Sequence, residues 1–137
     1  MSHFLLDTNV LSEIRKGVRG FSKVTAWYSN VPVSDVFISV ITIGEMLYGA
    51  HLVRKRDPVK AMQIDAWCAE TKKEFETHII GVDLKIMEQW AKIAAVRTIP
   101  AFDAVLAATA KVHNLIVATR NTADFDGTGV LLFNPFD

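Results

Sequence analysis

Short apolar runs alternate with longer amphipathic segments along this chain of 137 residues. The runs at residues 4–6, 36–40, 78–82, 115–119 and 130–133 are predicted to be strands. They are rich in β-branched and aromatic side chains, which favour strands. The run at 115–119 is uninterrupted, as is typical of a strand in a parallel sheet that is buried on both faces.

Between these runs, apolar positions recur at helical spacing. The predicted helices cover residues 9–16, 22–30, 42–53, 59–77 and 104–113, and another follows Asp83. Thr42 is predicted to cap its helix, with Glu45 as the capping-box partner three residues later. Strands that alternate with helices predict an α/β fold of three layers: a mainly parallel sheet of four to five strands, flanked by helices on both faces. Because no linker or repeat divides the chain, residues 1–137 are predicted to be one domain.

Composition narrows the class of protein. Half of the residues are apolar, the mean hydropathy is +0.23, and Cys68 is the only cysteine. Without a long apolar run or an export signal at its start, the chain is expected to be a cytoplasmic protein that does not associate with membranes. Fifteen basic residues balance fifteen acidic ones, which argues against polybasic binding of nucleic acid.

Four acidic residues lie after a predicted strand or near the start of a predicted helix: Asp7, Glu45, Asp103 and Asp124. The carboxyl ends of parallel strands share one rim of a sheet, so these side chains are expected to converge there. Two carboxylates about 4 Å apart repel each other by roughly 4 kcal/mol at an effective dielectric of about 20. Since such a cluster needs a cation or protonation, and all its ligands are oxygens, it indicates Mg²⁺ or Mn²⁺.

Each acid also has a simpler explanation when taken alone. Asp7 and Asp103 are acceptable helix caps, Glu45 is a capping-box partner, and Asp124 is a common turn residue. Their joint placement favours the metal site. Other kinds of site lack their motifs: the chain has neither a phosphate-binding glycine loop nor a nucleophilic serine flanked by glycines.

Four segments together resemble the motifs of PIN-domain ribonucleases, specifically the VapC and FitB-like toxins of toxin–antitoxin pairs. These segments are residues 5–13, 43–49, 102–110 and 119–125, the last closed by Asn134 and Pro135. The resemblance spans nearly the whole chain in order. One departure is the connection at residues 96–100, which lacks the glycine that many members carry before the third acid.

The resemblance implies a role for each matching position. Asp7, Glu45, Asp103 and Asp124 are the implied catalytic residues and metal ligands, with Asp7 and Asp103 binding directly. Thr8, Asn9, Thr119 and Asn121 are the implied polar residues that support them.

The same resemblance implies the activity and the partners. We expect an endoribonuclease that depends on Mg²⁺ or Mn²⁺, forms a homodimer and is inhibited by a cognate antitoxin. DNA would be contacted only through that antitoxin. A separate hypothesis starts from the excess of basic residues before residue 57. It assigns phosphate contacts to Arg15, Lys16, Arg54, Lys55 and Arg56.

Three alternatives remain open from the sequence. One is a PIN nuclease that processes RNA and has no antitoxin. Another is a metal-binding signalling receiver, which needs a lysine after a late strand, whereas Arg120 follows Thr119. The last is a phosphatase of the haloacid type, which needs Asp-x-Asp, whereas Asn9 occupies the third position after Asp7.

Overall fold

A computed structural model describes residues 2–137 of the chain. The strands within these residues are β1 (Phe4–Leu6), β2 (Val36–Ser39), β3 (Ile79–Ile80), β4 (Ile116–Ala118) and β5 (Leu132–Phe133). The α-helices are α1 (Thr8–Arg15), α2 (Ser22–Ser29), α3 (Val40–Val53), α4 (Pro58–Glu74), α5 (Leu84–Val96) and α6 (Ala101–His113).

The strands form one sheet in the order β3-β2-β1-β4-β5, and every neighbouring pair is parallel. On one side of β1 lie β2 and then β3, and on its other side lie β4 and then β5. The direction changes between β1 and β4, so the crevice at the carboxyl ends of these two strands is where an open α/β sheet binds ligands. The predicted parallel α/β fold is confirmed.

Alternation along the strands divides the apolar side chains between the two faces of the sheet. Leu5 and Val117 belong to a core cluster with α5 and α6, whereas Leu6 and Ala118 belong to a cluster with α1 and α2. Residues 104–110 of α6 are all buried, as their nearly continuous apolar character predicts. The sheet is therefore covered on both faces, and its carboxyl edge is left open for polar groups.

The predicted start of α3 is wrong. The helix begins at Val40, because the Ser39 hydroxyl accepts a hydrogen bond from the Ile41 backbone N–H at 3.0 Å and caps it. Thr42 therefore lies inside the first turn, fully buried, and its hydroxyl is the one buried side-chain polar atom within residues 2–137 that has no hydrogen-bond partner. The predicted cap at Asp83 is confirmed by its bond from the Ile86 backbone N–H at 3.0 Å.

Other boundaries differ from the sequence prediction by one to three residues at an end, as in α4, which ends at Glu74 instead of residue 77. Strand β3 has two residues instead of five, and α6 begins at Ala101 instead of Ala104. Pro100 precedes α6 and leaves its first turn without a side-chain cap. None of the helices in residues 2–137 combines the length and the apolar character that crossing a bilayer requires.

Candidate metal centre

Asp7 lies at the carboxyl end of β1 and caps α1. Its backbone N–H donates to the Ala118 carbonyl at 3.0 Å, so the residue is fixed between β1 and β4. The residue is 8 % exposed, and its carboxylate accepts hydrogen bonds from the Thr8 backbone N–H at 2.7 Å and from the Thr119 hydroxyl at 2.9 Å. The Asn9 amide contributes a longer bond of 3.4 Å. Asp7 can therefore cap α1 and take part in the site at the same time.

Thr119 connects the two central strands. Its buried hydroxyl donates to Asp7 and accepts from the Asn121 backbone N–H at 3.0 Å and from the Asn9 amide at 3.4 Å. The Asn9 side-chain oxygen Oδ1 in turn accepts a hydrogen bond from the Arg120 backbone N–H at 3.1 Å. These bonds hold the chain after β4 against the start of α1, and they orient the Asp7 carboxylate.

Glu45 comes to the same edge from α3. It is half-buried, and its Oε1 accepts a hydrogen bond from the Thr8 hydroxyl at 2.9 Å. Because the capping residue is Ser39, Glu45 is not a capping-box partner. Thr8 therefore links Glu45 to the loop that carries Asp7, a contact between residues 37 positions apart in the sequence.

Asp103 and Asp124 approach from the other side of the switch point. Asp103 is the third residue of α6 and is half-buried, and among the hydrogen bonds of residues 2–137 none reaches its carboxylate. It is not the cap of that helix. Asp124 is exposed on a 3₁₀ turn (Thr122–Phe125) and is held in place by its neighbour Phe125, which is buried in the core.

The ionisation of these acids shows that their charges interact. Burial, together with the charges of Asp7, Asp124 and Glu45, raises the pKa of Asp103 to about 6. Burial also raises the pKa of Asp7, against the opposing effect of its hydrogen bond from Thr119. The pKa of Glu45 is raised by burial and by Asp7, while the Thr8 hydroxyl opposes the rise. Four acids from separate parts of the chain thus share one electrostatic environment.

The donor set fits a hard divalent cation. Within residues 2–137, no three acidic, histidine or cysteine side chains are already close enough together to enclose an ion. The four carboxylates nevertheless supply only oxygen ligands, and their mutual repulsion is relieved by a cation. Mg²⁺ commonly keeps several waters and binds through one or two carboxylates, so a complete protein cage is not required. Asp103 has oxygens free to bind such an ion, and Asp7 is already oriented.

The raised pKa of Asp103 predicts how stability depends on pH when metal is removed. Between about 3.8 and about 6 the folded protein binds more protons at this carboxyl than the unfolded chain does. The contribution of Asp103 to the free energy of unfolding is therefore largest at low pH and is lost as the pH rises through about 6. We expect the urea midpoint in EDTA to be higher at pH 5 than at pH 7, and Asp103→Asn to weaken this dependence. Equal slopes in the two proteins would contradict the prediction.

The five residues predicted to bind phosphate differ in whether they are paired with an acid, lie on an aromatic ring or are exposed. Arg54 makes two hydrogen bonds to Asp65, at 2.8 and 3.1 Å, which lower the pKa of that carboxyl. Lys16 pairs with Glu13 at 2.7 Å, and the Arg15 guanidinium lies 4.8 Å from the centre of the Trp67 ring. Lys55 and Arg56 are exposed in the connection between α3 and α4. Contact of these five residues with RNA stays a prediction.

Comparison with known proteins shows the family. The model of the PIN domain matches residues 4–130, which include all four acids. This chain belongs to the PIN-domain family. The family therefore favours neither the receiver nor the phosphatase alternative.

This PIN domain has relatives along its whole length. It is 33 % identical to toxin FitB of Neisseria gonorrhoeae, over 96 % of this chain and 97 % of the relative. VapC ribonuclease Y4jK of Sinorhizobium fredii is 29 % identical, with 97 % of each chain covered. The recognition of a VapC/FitB-like PIN domain from its motifs is confirmed.

Solved structures agree with this assignment. The crystal structure of FitAcB from Neisseria gonorrhoeae superposes with a TM-score of 0.83 at 34 % identity, covering 97 % of this chain and 98 % of the other. A toxin–antitoxin complex from Klebsiella pneumoniae superposes with a TM-score of 0.70 at 27 % identity, covering 97 % and 98 %.

Two features of the site are not predicted from the sequence. One is the bond between Thr8 and Glu45, which depends on how α3 packs beside α1. The other is Arg120, whose backbone belongs to the network around Asn9. Its position between Thr119 and Asn121, both predicted site residues, is the signal that would have identified it.

Proposed function

We propose that this PIN domain is a metal-dependent endoribonuclease. The observation that carries the proposal is the convergence of Asp7, Glu45, Asp103 and Asp124 at the switch point of the sheet. Their interaction is expressed in the pKa of Asp103, which is raised to about 6 by burial and by the other three acids. Acids whose pKa is strongly perturbed, and which lie in the crevice of an α/β sheet, are candidates for a functional site.

The four acids have different tasks in this proposal. Asp7 and Asp103 hold Mg²⁺ or Mn²⁺ directly, and Glu45 and Asp124 hold it directly or through water. When bound, the ion supplies Lewis acidity and offsets negative charge at the phosphodiester. The Thr8 and Thr119 hydroxyls keep two of the carboxylates oriented, so that less reorganisation is needed when substrate binds. One acid of the quartet orients the attacking water.

We further propose that this nuclease is the toxin of a type II toxin–antitoxin pair. The proposal is supported by the names of its relatives, which include a toxin, a VapC ribonuclease and a toxin–antitoxin complex. The expected partners are RNA, a cognate antitoxin and a second copy of the chain, with DNA contacted only through the antitoxin. Exposed apolar side chains on α3 and α4, among them Tyr48, Leu52 and Met62, are available for protein contacts. A neighbouring gene for a small DNA-binding protein would distinguish a toxin from an RNA-processing nuclease.

The nuclease proposal is tested with purified protein and single-stranded RNA. We expect cleavage in Mn²⁺ or Mg²⁺ and none in EDTA, together with a rise in melting temperature when either metal is added to the protein alone. A Ca²⁺ arm, at matched ionic strength, controls for nonspecific effects of a divalent cation. Failure of both cleavage and stabilisation would mean that the four acids do not assemble a metal site, and the proposal would be wrong.

A further inference from the structure

The structure places an arginine that was not predicted as a site residue in the loop beside the acidic crevice. Arg120 directly follows Thr119, and its backbone N–H donates to the Asn9 side chain, which itself reaches Asp7. The backbone of Arg120 is therefore two hydrogen bonds away from the Asp7 carboxylate. Its side chain is exposed.

The Arg120 guanidinium has no acidic partner of its own. None of the ion pairs found within residues 2–137 includes it. Its charge helps to lower the pKa of Glu13, but the Glu13 carboxylate is engaged by Lys16 at 2.7 Å and by the Phe21 backbone N–H at 3.1 Å. Arg120 thus differs from Lys16 and Arg54, which are both paired with acids.

Aromatic rings support the guanidinium. Its central carbon lies 5.0 Å from the centre of the Phe136 ring, and that ring lies 5.3 Å from Phe21 at an interplanar angle of 37°. Phe136 is itself fixed, since its backbone N–H donates to the Asn134 side chain at 2.9 Å. Phe21 is 44 % exposed. An arginine held over one ring next to another exposed ring is an orientated cation beside a stacking surface.

We propose that Arg120, Phe136 and Phe21 form a subsite for an RNA nucleotide next to the cleaved phosphodiester. Arg120 binds its phosphate, and the exposed ring of Phe21 stacks on its base. Planar guanidinium groups match the geometry of phosphate oxygens, and combined cationic and aromatic surfaces are how proteins bind single-stranded nucleic acids. This inference rests on the nuclease function proposed above.

The test compares Arg120→Gln with Lys72→Gln, which removes the same charge from an exposed position on the last turn of α4. For Arg120→Gln we expect KM for RNA to rise about tenfold, the scale of one lost charged hydrogen bond. The kcat value should stay within about twofold, and the metal-induced rise in melting temperature should not change. Arg120→Lys should recover part of the loss, because it keeps the charge. Phe21→Leu should raise KM about fivefold, at the lower end of what one stacked base contributes.

Binding is measured separately on the Asp103→Asn background, so that RNA stays intact. The probe is a short, unstructured, fluorescently labelled RNA. Arg120→Gln should weaken binding and reduce the slope of log affinity against log salt by about 0.7, the value for one phosphate contact to a single strand. Lys72→Gln should leave the slope unchanged.

The outcomes separate this inference from the nuclease proposal. If the wild-type protein cleaves RNA and Arg120→Gln matches Lys72→Gln in KM and salt slope, the subsite is wrong and the nuclease stands. Loss of kcat and of metal stabilisation in Arg120→Gln, without recovery in Arg120→Lys, would also overturn it, because the residue would then act on the metal centre. If no RNA is cleaved but binding still depends on Arg120, the nuclease proposal fails, and of this inference only RNA binding at Arg120 stands, without a cleaved bond beside it.

Discussion

Asp103→Asn is expected to abolish RNA cleavage while making the metal-free protein more stable. Activity should fall by about 10³-fold, the scale of losing one preorganised charge-stabilising group from an active site. The rise in melting temperature on adding Mn²⁺ should disappear, because an amide is a poorer ligand for a hard cation. In EDTA, the variant should melt at a higher temperature than the wild type at pH 7. The reason is that it removes a half-buried charge that three other acids repel.

This combination of opposite effects distinguishes a metal ligand from a structural residue. Asp126→Asn is the matched control, since it removes the same charge from an exposed position two residues after Asp124. It should leave both cleavage and metal stabilisation near wild-type values. If Asp103→Asn lowered the melting temperature in EDTA, the repulsion inferred for the quartet would be wrong. Residual cleavage within about tenfold of wild type would remove Asp103 from the catalytic residues.

Thr119→Val is expected to affect folding and catalysis together. Valine has nearly the same shape as threonine but lacks the hydroxyl that donates to Asp7 and accepts from the Asn121 backbone N–H. Leaving a buried polar group unsatisfied costs about 1–3 kcal/mol, so the free energy of unfolding should fall by that amount. Because Asp7 would keep only its bonds from Thr8 and Asn9, metal affinity and cleavage should fall by about 10- to 100-fold, as for other groups that orient metal ligands.

Thr119→Ser provides the control for this prediction. Serine keeps the hydroxyl and loses one methyl group, which costs about 0.8 kcal/mol for a buried CH₂-sized group. Cleavage and the apparent Mn²⁺ affinity should then stay close to wild type. Urea denaturation measures the stability of each variant, and a titration of Mn²⁺ against melting temperature measures metal binding. If Thr119→Val and Thr119→Ser bound Mn²⁺ equally well, the hydroxyl would not be what orients Asp7.

The sequence predicts a helix or strand well where the pattern that specifies it lies within that element. The strand at Phe4–Leu6 agrees fully, and the buried helix 104–110 follows from its apolar composition. The cap at Asp83 is also correct. The start of α3 is predicted wrongly, because Ser39 and Thr42 are both good capping residues. Only the packing that buries Thr42 within the first turn selects between them.

The fold class and the family follow from the sequence alone, which also singles out the four acids that we propose as metal ligands. Periodicity and motif spacing depend on residues that are near one another in the sequence, so both can be recognised without coordinates. Tertiary structure alone decided which side chains orient the acids. The bond from Thr8 to Glu45 spans 37 positions and the bond from Thr119 to Asp7 spans 112.

The tertiary structure likewise fixed which cations are paired with acids. Arg54 is paired with Asp65 across the turn between two helices, whereas Arg120 forms no ion pair within the described residues and lies over the Phe136 ring. No local pattern specifies this difference, because it depends on how separate segments pack against each other. Ion pairs and aromatic contacts form between whichever side chains the folded chain brings within a few ångströms, and their partners are therefore fixed only once the sheet and its helices have assembled.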